Sequence, residues 1–217
     1  MSGQEIRLPL TEVEALSVGP HRMQRVPAGI FDMSAFPKEF ASIEGFLSLQ
    51  FFENVPVTLD YTTNQIHIET LETLESRLSN GVQVPLHVRR RGPSVDAFLD
   101  LLLPGETIAT VEIDTGSDAL MLDEKFMEPL SIHKDSTRVR KVRGIDETGH
   151  SYERYFAMLH DPVKLLRSPR IAISDTEVIF QDIIYDGLVG TSFLKNWAVT
   201  FDVAGSRIIF SEANRHR

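Results

Sequence analysis

An all-β fold is predicted for this 217-residue chain by three observations. Short runs of β-branched and aromatic residues recur along it, separated by turns rich in Gly, Pro and Asn. One such run–turn–run unit occurs twice, near residue 57 and again near residue 199. The only segment with helical spacing is short and polar, with leucines at 71, 74 and 78.

Composition agrees with an ordinary globular domain: 42% of residues are hydrophobic and 24% charged, and the length leaves room for a substantial core. The net charge of −9 argues against nucleic acid as the main partner, because phosphate contacts need clustered Lys and Arg. Arg89-Arg90-Arg91 is short and isolated, and reads as a solvated turn or strand end. The absence of cysteine excludes disulfides, thiol nucleophiles and zinc–thiolate sites. The histidines at 133, 150 and 160 lack metal-ligand spacing, so no metal and no cofactor is expected. No apolar run approaches the roughly 18 residues of a membrane helix. Met1 to Glu5 is polar and lacks a signal-peptide core. The compartment stays open.

Taken in order, the first hairpin is Pro56–Tyr61, the turn Thr62–Asn64, then Gln65–Ile68. Glu69–Asn80 follows as a short amphipathic helix ending at Asn80-Gly81. Strands are expected at Val82–Val88, Phe98–Leu103, Thr107–Ile113 and Val178–Tyr185. The closing hairpin is Ala198–Val203, Ala204–Ser206 and Arg207–Phe210. A shift of 187 − 45 = 142 positions lays the first hairpin on the last without a gap. Gly45, Phe51, Asn54, Val57, Thr58, Asp60 and Ile66 meet identical residues. Phe46-Leu47 faces Leu188-Val189, and Phe52 faces Leu194.

The chemistry-bearing segment is Asp114-Thr115-Gly116-Ser117, delivered by the apolar strand Ile108–Ile113 and followed by Ala119-Leu120-Met121-Leu122. Later, after another apolar strand, comes Gly187-Leu188-Val189-Gly190. Between them, Val142–Tyr152 has two glycines and a polar tip. This order resembles the retropepsin-like aspartic proteases, the bacterial single-domain members above all, over about 130 residues. The resemblance implies a retropepsin-like acid protease barrel, with a short helix (Phe193–Trp197) after the Leu188-Val189-Gly190 turn. It implies an endopeptidase acting on extended protein or peptide substrates, with Asp114 as catalytic carboxylate. Thr115 would anchor the loop across to a symmetry mate, Gly116 would admit backbone close to the carboxylates, and Ser117 could bond an Asp114 oxygen. Gly144, Ile145 and Gly149 would belong to a mobile flap.

Such chemistry needs two carboxylates sharing one proton, and one Asp-Thr-Gly is present. The second comes from a homodimer or from an upstream lobe. Asp32, in Gly29-Ile30-Phe31-Asp32-Met33-Ser34, is a weaker competitor: it lacks Thr and Gly and lies too close to Gly45 for a flap. The expected organisation is 1–72 as a partial, C-terminal-half repeat, 73–80 as linker, and 81–217 as the protease-like domain. In the partial copy Leu16–Phe31 stands for the strands before the Gly turn, and Ser48 stands where Gly190 stands in the second. The resemblance leans towards an exported bacterial protein. Two alternatives remain: Asp114 as a plain turn residue with Gly116 at positive φ, and a catalytically inactive binding or dimerisation module on the same fold.

Overall fold

The computed structural model describes residues 8–31, 42–92, 94–145 and 149–212. Asp32 and residues 146–148 of the expected flap segment lie outside the described residues. β1 (Leu10–Val18) and β2 (His21–Gly29) form a separate hairpin. β3 (Val57–Asp60) and β4 (Gln65–Ile68) make the first predicted hairpin, and α1 (Leu71–Asn80) and β5 (Val82–Pro85) follow. Then come β6 (His87–Arg91), β7 (Ser94–Leu102), β8 (Ile108–Ile113), β9 (Leu120–Asp123), β10 (Arg140–Ile145) and β11 (Ser151–Leu159). β12 (Val163–Leu165), β13 (Ser168–Ile173), β14 (Thr176–Gln181) and β15 (Gly187–Val189) complete the larger sheet. The short helix α2 (Thr191–Leu194) leads to the closing hairpin, β16 (Trp197–Asp202) and β17 (Arg207–Glu212).

The expected all-β architecture is therefore present, with the short helix after the Leu188-Val189-Gly190 turn. The larger sheet runs β10-β11-β14-β9-β15-β8-β7-β12-β13, with β6 also paired to β7, and the second runs β4-β3-β16-β17-β5. Apolar side chains from both sheets share one core, in which Leu99, Leu101, Val111, Phe180, Leu194 and Phe210 are fully buried.

Helix α1 forms where the leucine spacing places it. Thr70 caps it: its hydroxyl accepts from Thr73 N while Thr73 Oγ1 accepts from Thr70 N. Two expected strands are cut short. Val82–Val88 breaks at Leu86, whose N–H turns to Ser206 O at 3.0 Å. Val178–Tyr185 ends at Gln181, because the chain must cross over to deliver β15 two places away. The arginine run is the end of β6 and is partnered there: Arg90 binds Glu53 at 2.6 Å and Arg89 stacks on the Phe98 ring.

The matched hairpins share their turn chemistry. Asp60 Oδ1 accepts from Thr62 N and Thr63 N, and Asp202 Oδ1 accepts from Gly205 N. Asn64 and Ser206, one shift apart, both adopt positive φ, 56° and 50°. The hairpins also meet each other: β3 pairs antiparallel with β16, with Thr58 opposite Thr200. The two hydroxyls lie 2.6 Å apart and are fully buried. Thr58 gives its one proton to Glu69 Oε1 at 2.5 Å, so Thr200 must donate to Thr58. Arg77 Nε donates to the same Glu69 oxygen at 3.1 Å. Burial pushes the Glu69 carboxyl up, but the hydrogen bonds from Thr58 and Thr73 and the Arg77 guanidinium outweigh it and hold the group below its ordinary range. Glu69→Ala is expected to cost about 2–3 kcal/mol by leaving the buried Thr58–Thr200 pair without its final acceptor. In the wild type, this stabilisation is present above the ordinary carboxylate pKa and is lost as pH falls through the depressed value. Urea unfolding of both proteins at neutral and acid pH measures it: the gap closes in acid.

Candidate active site

The Asp114 turn exists because β15 is threaded between two strands adjacent in sequence. β15 runs parallel to β8, Val189 opposite Ile113, and antiparallel to β9, Val189 opposite Leu120. The link from Asp114 to Ala119 must therefore pass over the end of β15, and backbone bonds tie the crossing. Asp114 N donates to Val189 O at 3.0 Å, Gly190 N to Ala119 O at 2.9 Å and Thr191 N to Ser117 O at 2.8 Å. Thr191 Oγ1 also donates to Asp118 Oδ1 at 2.9 Å.

Leu188 and Val189, sandwiched between strands, are buried. At Gly190 the crossing is so close that a Cβ would stand 2.3 Å from Ser117 O. The glycine is required there by space. Asp186 supports the threading from below, accepting from Thr110 N at 2.9 Å and from Lys125 Nζ at 2.6 Å.

The Asp114 carboxyl is half-exposed, and its Oδ1 accepts from Gly116 N at 2.9 Å. A Cβ on Gly116 would lie 3.2 Å from that oxygen. Gly116 does not adopt positive φ, so its smallness serves the approach to the carboxylate and not a left-handed turn. Thr115 is exposed. The Ser117 hydroxyl accepts from Ala119 N at 3.2 Å, which secures the loop instead of reaching Asp114.

The expected flap is a hairpin of β10 and β11 at the edge of the large sheet, with Gly144 opposite Tyr152 and Ile145 opposite Ser151. Ile145 is 72% exposed and Gly149 has φ +85°. A Cβ on Gly144 would fall 2.5 Å from Tyr152 Oη, so this glycine lets the Tyr152 ring lie across the strand. Within the hairpin, hydrogen bonds from Lys141, then Tyr155 and Arg143, hold the partly exposed Glu153 carboxyl down to about 2.

Asp114 and Thr115 open into a cleft of about 710 Å³. It is also lined by Leu47-Ser48-Leu49, the segment that the 142-residue shift places on Val189-Gly190-Thr191. Two acidic residues that sequence reasoning passed over, Asp96 and Glu112, also line it. Glu112 stands two residues before Asp114, near the end of β8. Burial first, then the Asp96 and Asp114 carboxylates, push Glu112 up to about 7. Arg91, 3.6 Å from Asp96 and bonded to the Tyr185 hydroxyl, offsets part of this charge. A raised acid pKa means the fold is unpenalised below the ordinary value and loses stability as pH rises through about 7. Glu112→Gln is expected to be near neutral in acid and to stabilise by about 1–2 kcal/mol at mildly alkaline pH, after allowance for solvent screening. Thermal unfolding against pH checks the sign.

No family model and no curated protein sequence matches this chain. Among solved structures it is similar to a retropepsin-like aspartic protease from Rickettsia conorii, with 14% identity and a TM-score of 0.44, over 60% of this chain and 89% of that one. It is similar to EIAV protease complexed with the inhibitor HBY-793, with 20% identity and a TM-score of 0.33, over 49% and 92% of the two chains. Basic 7S globulin from soybean is matched at 11% identity and a TM-score of 0.37, over 72% of this chain and 50% of that one. At these identities and scores the likenesses assign no chemistry.

Proposed function

We propose that this chain is an aspartic endopeptidase in which Asp114 is one carboxylate of a dyad completed by a second copy of the Asp-Thr-Gly unit. The observation that carries the reading is the threaded turn: Asp114 opens into a cleft that is also lined by Leu47-Ser48-Leu49, the counterpart of the strand end that Asp114 itself binds. Two carboxylates facing each other there cannot both ionise, so one proton is shared and the pair titrates together. The ionised member takes a proton from a water that attacks the scissile carbonyl. The protonated member donates to the carbonyl oxygen and stabilises the charge that develops on it. Thr115, Gly116 and Ser117 hold the loop, Leu188, Val189 and Gly190 form its floor, and Gly144, Ile145 and Gly149 belong to the hairpin that closes over an extended peptide. Residues 1–72 serve as a partial copy, 73–80 as linker and 81–217 as the catalytic unit. The second copy is supplied by a separate lobe, because the place a second whole chain's β16 would take beside β16 is filled by β3.

A statine-type inhibitor, whose hydroxyl occupies the place of the attacked carbonyl, tests this. Binding that weakens at least tenfold in Asp114→Asn supports the dyad; equal binding to both proteins contradicts it. A second reading, a catalytically inactive docking module, is favoured by Ser48 standing where Gly190 stands. It requires that Asp114→Asn leave every activity of the chain unchanged.

A further inference from the structure

Thr58 and Thr200, which face each other across β3 and β16, are separated by the same 142 residues that superpose the two hairpins. Exchanging the hairpins leaves Val57↔Phe201, Thr58↔Thr200 and Leu59↔Val199 paired. A local two-fold axis therefore passes between the threonines. β4 and β17 are equivalent about it, because β3 pairs with β4 in the register that β16 uses with β17. The outer edge of β17 carries β5, with Ile208 opposite Val84 and Ile209 opposite Gln83. The outer edge of β4 carries no strand among the described residues. Burial follows: Ile208 is 0% exposed and its counterpart Ile66 is 58% exposed. Val189, between β8 and β9, is 0% exposed, and its counterpart Leu47 is 45% exposed. Apolar positions closed off in one copy stand open in the other.

We propose that the outer edge of β4, together with the Leu47 side of the cleft, is the docking surface for a polypeptide half-lobe built like residues 82–186. This inference rests on the dyad reading above and names its partner. The leading strand of the half-lobe pairs with β4 as β5 pairs with β17. Its own Asp-Thr-Gly-type turn enters the cleft, its amide bonding Leu47 O as Asp114 N bonds Val189 O. A second whole copy does not fit: to place another Asp114 at the two-fold-related position, its β16 would have to lie where β3 lies. Ser48 carries a side chain where Gly190 admits Ser117 O, so the incoming loop packs less closely than the chain's own.

The test uses the full chain and a synthetic peptide of residues 81–88, Gly-Val-Gln-Val-Pro-Leu-His-Val, as probe. The chain has no cysteine, so His67→Cys is unique. It is expected to form a disulfide with the peptide carrying Gln83→Cys, its predicted partner in register, and Thr63→Cys in the hairpin turn is not. Ile66→Asp is expected to weaken peptide binding at least tenfold, whereas Asp114→Asn leaves it unchanged. That last arm separates docking from catalysis: inactivity with docking intact refutes the dyad alone. No cross-link at millimolar peptide, or equal cross-linking at Thr63→Cys, overturns the docking surface. A chain that is dimeric in solution and becomes monomeric on Ile66→Asp shows that a second copy takes the edge, and overturns the half-lobe.

Discussion

Gly190→Ala is expected to lower the unfolding free energy by about 3 kcal/mol or more. The added methyl would stand 2.3 Å from Ser117 O, 2.7 Å from Ser117 C and 2.8 Å from Ala119 O. All three are backbone atoms held in the crossing, and none can rotate aside as a side chain would. Relief requires lifting the loop off β15, which breaks the bonds from Gly190 N to Ala119 O and from Thr191 N to Ser117 O. Since that loop begins at Asp114, its carboxyl would move with it. The control is Gly149→Ala, where φ is +85° and no atom lies within 4 Å of the new methyl. Only backbone strain opposes that change, about 1 kcal/mol. Urea unfolding of the two variants ranks them, and a Gly190→Ala no worse than Gly149→Ala would mean that the crossing is not tight.

Much of this was legible in the sequence because the signals are local. Asp114-Thr115-Gly116 and Leu188-Val189-Gly190 each end an apolar strand, and turn residues announce themselves within a few positions. The hairpins at 57–68 and 197–212 carry their registers in their own Asp and Asn or Ser turns. What was hidden depends on contacts between distant segments. The repeat shift says that two hairpins are alike, but not that they pair at Thr58 and Thr200. Leu86 breaks its strand to reach Ser206, a partner known only once the sheet is formed. Glu112 was visible as a charge inside the apolar run Ile108–Ile113, and that misfit is the signal that could have marked it. Its proximity to Asp96 follows from the pairing of β7 with β8, in which Phe98 faces Glu112. Ser117 bonds Ala119 N because the loop has to turn over β15, a constraint that no local pattern records.

Asp114→Asn is expected to reduce peptide cleavage by about a thousandfold or more while leaving the fold intact. The amide oxygen of asparagine can still accept from Gly116 N, as Asp114 Oδ1 does at 2.9 Å. What disappears is the ability to hold or release a proton: an amide can neither take one from water nor join a partner carboxylate in sharing one. Stability and activity therefore separate in this variant, whereas Gly190→Ala lowers both. The wild-type rate should pass through a maximum between acid and neutral pH, because the dyad works only in its singly protonated form.

The most direct measurement is digestion of a mixed peptide library, from acid to neutral pH, by the chain supplied with a polypeptide of residues 81–190 as the source of the second Asp-Thr-Gly. Wild type is compared with Asp114→Asn placed in either component. Cleavage that requires both components and vanishes when either Asp114 is replaced is the predicted result. Cleavage that survives Asp114→Asn, or none with both wild-type components present, would contradict an Asp114 dyad.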